Sequence, residues 1–528
     1  MKKILLFTVM LLQFSACKNE EFFELERPVQ SPWTKLSEFD RAVIGPYALL
    51  FAKGDWGNVY NYWYLYKNAV ADDVAWSTPG DGTWGWYRDT EANKAWTDDI
   101  FNTSYNAISS VNDALQFVDD AGGAPFPKIT ADDQKHNLER IVGELHFLRG
   151  FAYYMAATTF CTAYVPGGPN NAREIPLRTT KATSYEDAST PKIGTTQEIW
   201  DQVLADFDKA YQMLPERFVA GKMHASYQAG RANKFAAAAM LARAHFAMGN
   251  YPKALEFASF VIDKNGGDYD LSEEPIEAFN KSMLARGKET IMYIPSYDLT
   301  YGKQNLHATC FSNMFQKTVC GWTATHMDYE TLKRLGWMQN PKSDTTIGIA
   351  AKRDKRFTQL CFVREPANVP QALRLPNRYY ETRVNLTWRT IVSDKSARGP
   401  EAGYTNVPQI RLAEMYLTRA SCAFKAGDKK QAAADLNIVR KRAWNAAVAK
   451  VAYESSPNFV TESNVTEQMI GDERLIEMFC EGDRIDYLRA MKKEVGNGDR
   501  GAGATPYTSK AFVWPVPVVE RSLNNGYQ

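Results

Sequence analysis

The chain has 528 residues, and its 62 basic side chains almost balance 61 acidic ones, for a net charge of +1. A near-neutral chain with no clustered basic excess argues against a nucleic-acid partner, and 45% hydrophobic with 23% charged residues excludes a largely disordered polymer. The length supports a large core, in two or three domains or in one elongated array. The aromatic residues depart from the ordinary, with 13 Trp, 27 Tyr and 27 Phe to be placed.

Residues 1–16 read as a secretory signal peptide: Lys2 and Lys3, an apolar stretch from Ile4 to Phe14, then Ser15-Ala16. The apolar stretch is too short to span a bilayer comfortably. Cys17 follows, and FSAC resembles the lipobox of bacterial lipoproteins, with Phe14 where Leu is usual. In such proteins the Cys becomes the acylated N-terminus, and palmitate-type chains, more than one per anchor, hold the protein on the membrane. Residues 17–30 then form a tether. Lys18, Asn19, Glu20 and Glu21 resemble the acidic tag that directs lipoproteins to the outer face of the outer membrane.

Seven of the Trp residues fall between positions 33 and 96, among them Trp63 and Trp76. The run Tyr60, Tyr62, Trp63, Tyr64 and Tyr66 reads as packing between helices. From Asn137 to Phe160, apolar residues Ile141, Leu145, Leu148, Ala152 and Met155 recur at helical spacing. Thr195 with Glu198 forms a capping box that opens a second helix, striped by Ile199, Val203, Phe207, Ala210 and Leu214 and ended by Pro215. Residues 230–263 predict a helical hairpin, with Gly249-Asn250 at the turn and Pro252 opening the second helix. The pattern recurs over 409–442 with Gly427-Asp428 at the turn. Hairpins of about 34 residues resemble tetratricopeptide repeats and must stack to bury both apolar faces. Residues 285–400 differ: ETIMYIPSY alternates like a short strand, and Pro, Gly, Asn and Thr recur after it, predicting a loop-rich insertion. Cys161, Cys310, Cys320, Cys361, Cys422 and Cys480 show no C-x-x-C, so most are expected free, with Cys310–Cys320 the one candidate bridge. Cys422 and Cys480 are expected inside helices.

Several segments, in order, resemble the SusD/RagB family of outer-membrane nutrient-binding lipoproteins. They are ELHFLRGFAYYMAATTF, GRANKFAAAAMLARAHFAMGNYPKALEFA, KETIMYIP, AKRDKRF, PQIRLAEMYLTRASCAFKAGD, DERLIEMFCEGDRIDYLRA and VWPVPVVERSLN. The resemblance implies a mainly α-helical SusD-like fold. Tetratricopeptide-type hairpins would form the scaffold, with a few short strands and a loop-rich ligand-binding face. It divides the body into an N-terminal part, residues 31–270, and a C-terminal part, residues 271–528. It implies no enzymatic activity and no cofactor. Its partners would be an oligosaccharide and a SusC-like TonB-dependent transporter, with the lipid holding the protein to the outer membrane, facing the exterior. A peptide-binding protein of the same import architecture and a tetratricopeptide protein-interaction scaffold are the alternatives.

Two loose G-x-G-x-x-G patterns, Gly80/Gly82/Gly85 and Gly496/Gly498/Gly501, follow no β-branched run and read as loop glycines. No metal-ligand spacing stands out, and His245 on an Ala-rich helix reads as structural. Glu473, Glu477, Glu481 and Asp486, with Arg474 and Arg484, are expected to form an ion-pair ladder along one helix rather than a catalytic pair. The positive signal is TPGDGTWGWYRDT, poor in aliphatics and rich in glycine, which predicts a surface loop. Trp84, Trp86 and Tyr87 there can stack on a pyranose face, and Arg88 can pair with hydroxyls or a carboxylate. Asp72-Asp73 beside Trp76 are expected to accept hydrogen bonds from a sugar. The resemblance adds Tyr301, Asn305 and Trp322, in the loops after the short strand.

Overall fold

A computed structural model of the chain describes residues 33–51, 59–76, 94–279, 281, 284–295, 325–340, 344–364, 390–393, 395, 406–498 and 501–527. Cys17 and the signal and tether segments lie outside them.

The N-terminal part is built from long helices: α1 (Arg41–Phe51), α2 (Val59–Val70), then the short strand β1 (Val74–Trp76), α3 (Lys94–Asp120) and α4 (Glu139–Phe160). The predicted face of α4 is wholly buried, from Ile141 to Met155. So is most of its other face, because α3 packs on one side and the helix opened by Thr195 on the other. Gly143 and Gly150 let that second neighbour approach closely: a Cβ on either would sit 3.1 Å from side chains of Met213, Leu214, Asp206 or Phe207. Strands β2 (Arg173–Pro176) and β3 (Ile193–Thr195) pair and lead into this helix, α5 (Thr196–Met213). Its capping box is formed as the sequence predicts, Thr195 Oγ1 accepting from the Glu198 N–H and the Glu198 carboxylate accepting from the Thr195 N–H.

The first hairpin is α6 (Lys234–Ala247) and α7 (Tyr251–Asp263). Gly249 adopts φ +76°, the left-handed conformation that stops α6, and the Asn250 side chain caps α7. After α7 come β4 (Thr290–Ile294), β5 (Thr325–Met327), α8 (Tyr329–Arg334), β6 (Met338–Asn340) and β7 (Asp344–Ile347). Two short helices, α9 (Ile349–Arg353) and α10 (Lys355–Leu360), then lead to the paired strands β8 (Cys361–Arg364) and β9 (Thr390–Ser393). Strand β10 (Val407–Arg411) runs directly into α11 (Leu412–Lys425), which with α12 (Lys429–Ala443) forms the second hairpin. There Gly427 sits at φ +84° and Asp428 caps. Helices α13 (Glu467–Glu477), α14 (Arg484–Ala490) and α15 (Val518–Leu523) complete the elements that matter here.

The helices stack in chain order, α1 on α3, α3 on α4, α4 on α5, α5 on α6, then α6 and α7 against α11, and α11 against α12. Each hairpin buries the apolar face its neighbour exposes, which is why neither stands alone. The insertion leaves this stack at β4 and returns at β10, and the two strands pair antiparallel, Ile294 with Val407 and Thr290 with Arg411. Two expectations are corrected here. Gln409, Ile410 and Arg411 are strand rather than the start of a helix. And β4 is buried at all five positions instead of alternating, since β10 pairs with it and α6 packs against it inside the molecule.

The C-terminal segment crosses back over the first helices. The Trp514 N–H donates to Thr159 O at 2.9 Å, its ring lies 4.4 Å from that of Tyr66, and the Tyr66 hydroxyl donates to Phe512 O. Tyr527 and Gly526 bond to the β2 strand through Glu174 O and Arg173. Among the described residues no helix is long and apolar enough to cross a membrane.

Candidate functional site

The antiparallel ladder of β1 and β5 pairs Val74 with Met327, Ala75 with His326 and Trp76 with Thr325. Val74, Ala75, His326 and Met327 are buried, which anchors the ladder to the core. Trp76 is the last described residue before the stretch that carries Trp84, Trp86, Tyr87 and Arg88, and Thr325 is the first after the stretch that carries Tyr301, Asn305 and Trp322. The two stretches singled out in the sequence therefore have chain ends that are direct partners across one ladder. The seven side chains named lie outside the described residues, as do Cys310 and Cys320; of Trp76 only the backbone position is described. Strand β9 lies against β5.

Directly beneath β1 an ionic frame holds this ladder. Arg484 grips both oxygens of Asp72, at 2.6 and 3.0 Å. Asp73 O accepts from the Asp328 N–H at 2.9 Å, and the Asp328 side chain caps α8 through the N–H groups of Glu330 and Thr331. The expectation that Asp72 and Asp73 reach a sugar is thus corrected. Asp72 is spent on Arg484, and Asp73 is 1% exposed with its Oδ1 unpaired. Burial, then the neighbouring Asp72 charge, push the Asp73 carboxyl up to about 7, with Arg484 opposing.

The acidic row of the C-terminal part is structural, as the sequence suggests, but its geometry differs from a ladder on one helix. Helix α13 ends at Glu477, Cys480 and Gly482 take positive φ (58° and 70°), and a new helix starts at Arg484. Cys480 therefore lies in a turn, not in a helix. Each charge then finds its partner on a different element. Glu477 meets Arg356 of α10 at 2.9 Å, Arg411 of β10 at 2.9 Å and Arg442 of α12 at 2.6 Å. Arg411 and Arg442 also bind Glu289, just before β4, at 2.5 and 3.1 Å. Glu481 pairs with Arg411 at 2.6 Å and with Lys395, Arg474 with Asp483 at 2.6 Å, and Asp486 with Lys67 at 2.5 Å. Burial alone would raise the Glu477 carboxyl, but Arg442, Arg411 and Arg356 outweigh it and hold it well below the ordinary range. A carboxylate locked among three arginines has no proton to give and no route to a substrate.

His245 stacks on Phe257, ring centroids 5.8 Å apart and nearly parallel, and burial, then Lys253, push it down to about 4. It is a neutral packing residue, in line with the sequence reading. Cys161, Cys361, Cys422 and Cys480 are buried thiols. Among the described residues no group of three or more His, Cys, Asp or Glu could hold a metal ion. Gly496, Gly498 and Gly501 belong to a tight two-stranded turn, Val495–Gly496 against Ala504–Thr505, and not to a nucleotide loop.

One feature escaped the sequence reading. A cleft of about 230 Å³ lies between α8, α9, the C-terminal end of α12 and α13, lined by Trp337, Trp444, Tyr453 and the arginines 334, 353, 356 and 440. These residues are dispersed over more than a hundred positions, and only the AKRDKRF turn gave any local sign of them.

The chain matches two family profiles, one described as "SusD family" over residues 322–515 and one as "Starch-binding associating with outer membrane" over residues 56–246. A curated relative, SusD-like protein P2 of Formosa agariphila, is 25% identical over 299 residues. That alignment takes in 54% of this chain and 52% of the relative, so the chain spans about half the length of that relative. Solved structures agree over more of the molecule. A SusD superfamily protein of Bacteroides thetaiotaomicron superposes with a TM-score of 0.71 at 22% identity, covering 94% of this chain and 99% of that one. A SusD-like carbohydrate binding protein of Bacteroides vulgatus gives 0.68 at 16% identity, covering 94% and 97%. Surface glycan-binding protein A of Bacteroides uniformis gives 0.64 at 19%, covering 94% and 100%. At these identities the structures speak to the fold, which is the mainly helical one expected.

Proposed function

Because the chain belongs to the SusD/RagB family, whose members are binding proteins and not enzymes, we propose that it is a surface lipoprotein that captures oligosaccharide and passes it to a SusC-like TonB-dependent transporter. Cys17 would carry the lipid and hold it to the outer membrane, the body facing outward. The observation that carries the sugar reading is the β1–β5 ladder, which joins the ends of the two aromatic-rich stretches. A platform drawn from Trp84, Trp86 and Tyr87 on one side and Tyr301 and Trp322 on the other, with Trp76 at the junction, would stack on pyranose faces. Arg88 and Asn305 would supply hydrogen bonds. The profile described as starch-binding and the relatives named for carbohydrate or glycan binding support a sugar over a peptide.

Trp86→Ala tests the platform. A lost stack of about 1.4 kcal/mol weakens binding roughly tenfold, while a surface substitution leaves stability within about 0.5 kcal/mol. Calorimetric titration against a panel of oligosaccharides, with a melting curve alongside, reads both. A melting temperature that falls as for a buried Trp, or affinity that stays unaltered, would remove Trp86 from the site. Binding of short peptides and of no oligosaccharide would replace sugar by peptide as the cargo.

A further inference from the structure

We propose that the cleft beside the second hairpin is a separate subsite for a carboxylate-bearing sugar, a uronic acid residue, held by Arg353. The proposal rests on the glycan-binding reading above but on different residues. The charges that line the cleft are four arginines and three carboxylates. Arg334 is tied to Asp472, and Arg440 to Glu473 at 3.0 Å. Arg356 is shared by Asp354 and Glu473, each at 2.7 Å, and Glu477 at 2.9 Å. Every carboxylate is thereby engaged. Arg353 is left over: its Nε is buried with no hydrogen-bond partner, and no ion pair reaches its guanidinium among the described residues. Its backbone is nonetheless fixed, since its carbonyl accepts from the Asn445 N–H at 2.8 Å and the next residue, Asp354, bridges to Trp444. A positioned guanidinium with unused donors at the wall of a cavity is a recognition element for a planar two-oxygen anion.

The remaining walls say what the anion is attached to. Leu335, Ala350, Ala443 and Ile476 are apolar, and Trp337, Trp444 and Tyr453 add ring surface. The polar atoms of two of these rings are already used, Trp444 Nε1 by Val451 O at 2.9 Å and the Tyr453 hydroxyl by Asn437 Oδ1 at 2.6 Å. They therefore offer apolar ring surface more than hydrogen bonds, which suits the C–H face of a pyranose. A volume near 230 Å³ is below the roughly 300–1,000 Å³ of pockets for larger ligands, so it suits a single ring. Asn458 is exposed in the lining; its backbone is fixed by Arg440, Tyr453 and Ser456, which leaves its side-chain amide to meet a hydroxyl.

The test titrates the mature chain by calorimetry with galacturonate, glucuronate and mannuronate disaccharides and with their neutral hexose counterparts. At least one uronate should bind roughly tenfold more tightly than its neutral counterpart, and Arg353→Gln should bring the two to parity with an unchanged melting curve. Arg353→Lys should restore only part of the preference, because an ammonium lacks the fork. Equal binding of acidic and neutral sugars by the unsubstituted chain, or a preference that survives Arg353→Gln, overturns the proposal. A tripeptide with a free carboxyl terminus that outcompetes every uronate overturns the sugar assignment. Trp86→Ala, run in parallel, separates the two readings: if it weakens both kinds of sugar while Arg353→Gln is silent, only this subsite falls. If no sugar binds at all, the glycan reading falls and the subsite with it.

Discussion

Glu477 and Asp73 are both buried carboxyl groups, and their surroundings drive them in opposite directions. Glu477 sits among Arg356, Arg411 and Arg442, so Glu477→Gln leaves three buried guanidinium groups short of a counter-charge. Removing one partner from such a network costs about 3–5 kcal/mol, and we expect the melting temperature to drop sharply in a thermal scan. Asp73 has no cation of its own, and its carboxyl is pushed up to about 7. The folded state then holds this proton where the unfolded chain has released it. Its contribution is fully present below the unfolded value near 4 and is lost as pH rises toward about 7, at up to about 1.4 kcal/mol per pH unit. His245, pushed down to about 4, has the opposite sign: it costs stability as pH falls from about 6.5 toward 4. Asp73→Asn should therefore gain on the unsubstituted chain as pH is raised from 5 to 8, read by chemical unfolding at each pH. A constant difference across that range would mean that Asp73 is ionised throughout. None of this could be seen in the sequence, because the partners of Glu477 come from positions 356, 411 and 442, and spacing along one helix shows only neighbours at three and four residues.

The two hairpins repeat one turn with different surroundings, which makes them a matched pair. Both Gly249 and Gly427 hold positive φ, so Ala at either position costs about 1–2 kcal/mol of backbone strain. At Gly427 a Cβ meets nothing within 4 Å, whereas at Gly249 it would lie 2.6 Å from Pro166 Cγ. Gly249→Ala should thus be the more damaging by a further 1–3 kcal/mol or so, the usual cost of overpacking; equal melting shifts would show that Pro166 yields. Helices and turns of this kind were legible in the sequence because their signals are local: apolar period, capping residue, glycine after the last turn. Thr195 with Glu198 and Gly249-Asn250 did what their chemistry requires. The strand at Gln409–Arg411 and the break after Glu477 were misread because both are set by distant partners, β4 in one case and the arginine cluster in the other. Of the candidate site, composition marks the stretch around Trp86 as an exposed aromatic loop and the family resemblance adds Trp322. The pairing of Trp76 with Thr325 joins points far apart in the chain, and no local pattern reports it.

At the scale of the molecule, the proposed lipid anchor, Cys17, lies ahead of the described helices in the chain. Cys17→Ala should move the protein from the membrane fraction to the soluble one, or stall its processing, without altering its melting curve. Fractionation with immunoblotting checks this, and a variant that still pellets with outer membrane at normal size would contradict the lipid anchor. The path of the C-terminal segment has a consequence of another kind. Phe512 and Trp514, bonded to Tyr66 and Thr159, finish the packing of helices made hundreds of residues earlier. Until residues 512–514 dock, the surfaces of α2 and α4 around Tyr66 and Thr159 therefore lack the cover they have in the folded molecule. Long-range closure of this sort slows folding and leaves the waiting chain prone to aggregation. Docking of residues 512–514 is thus a condition for the native packing of α2 and α4, set by partners more than three hundred positions away.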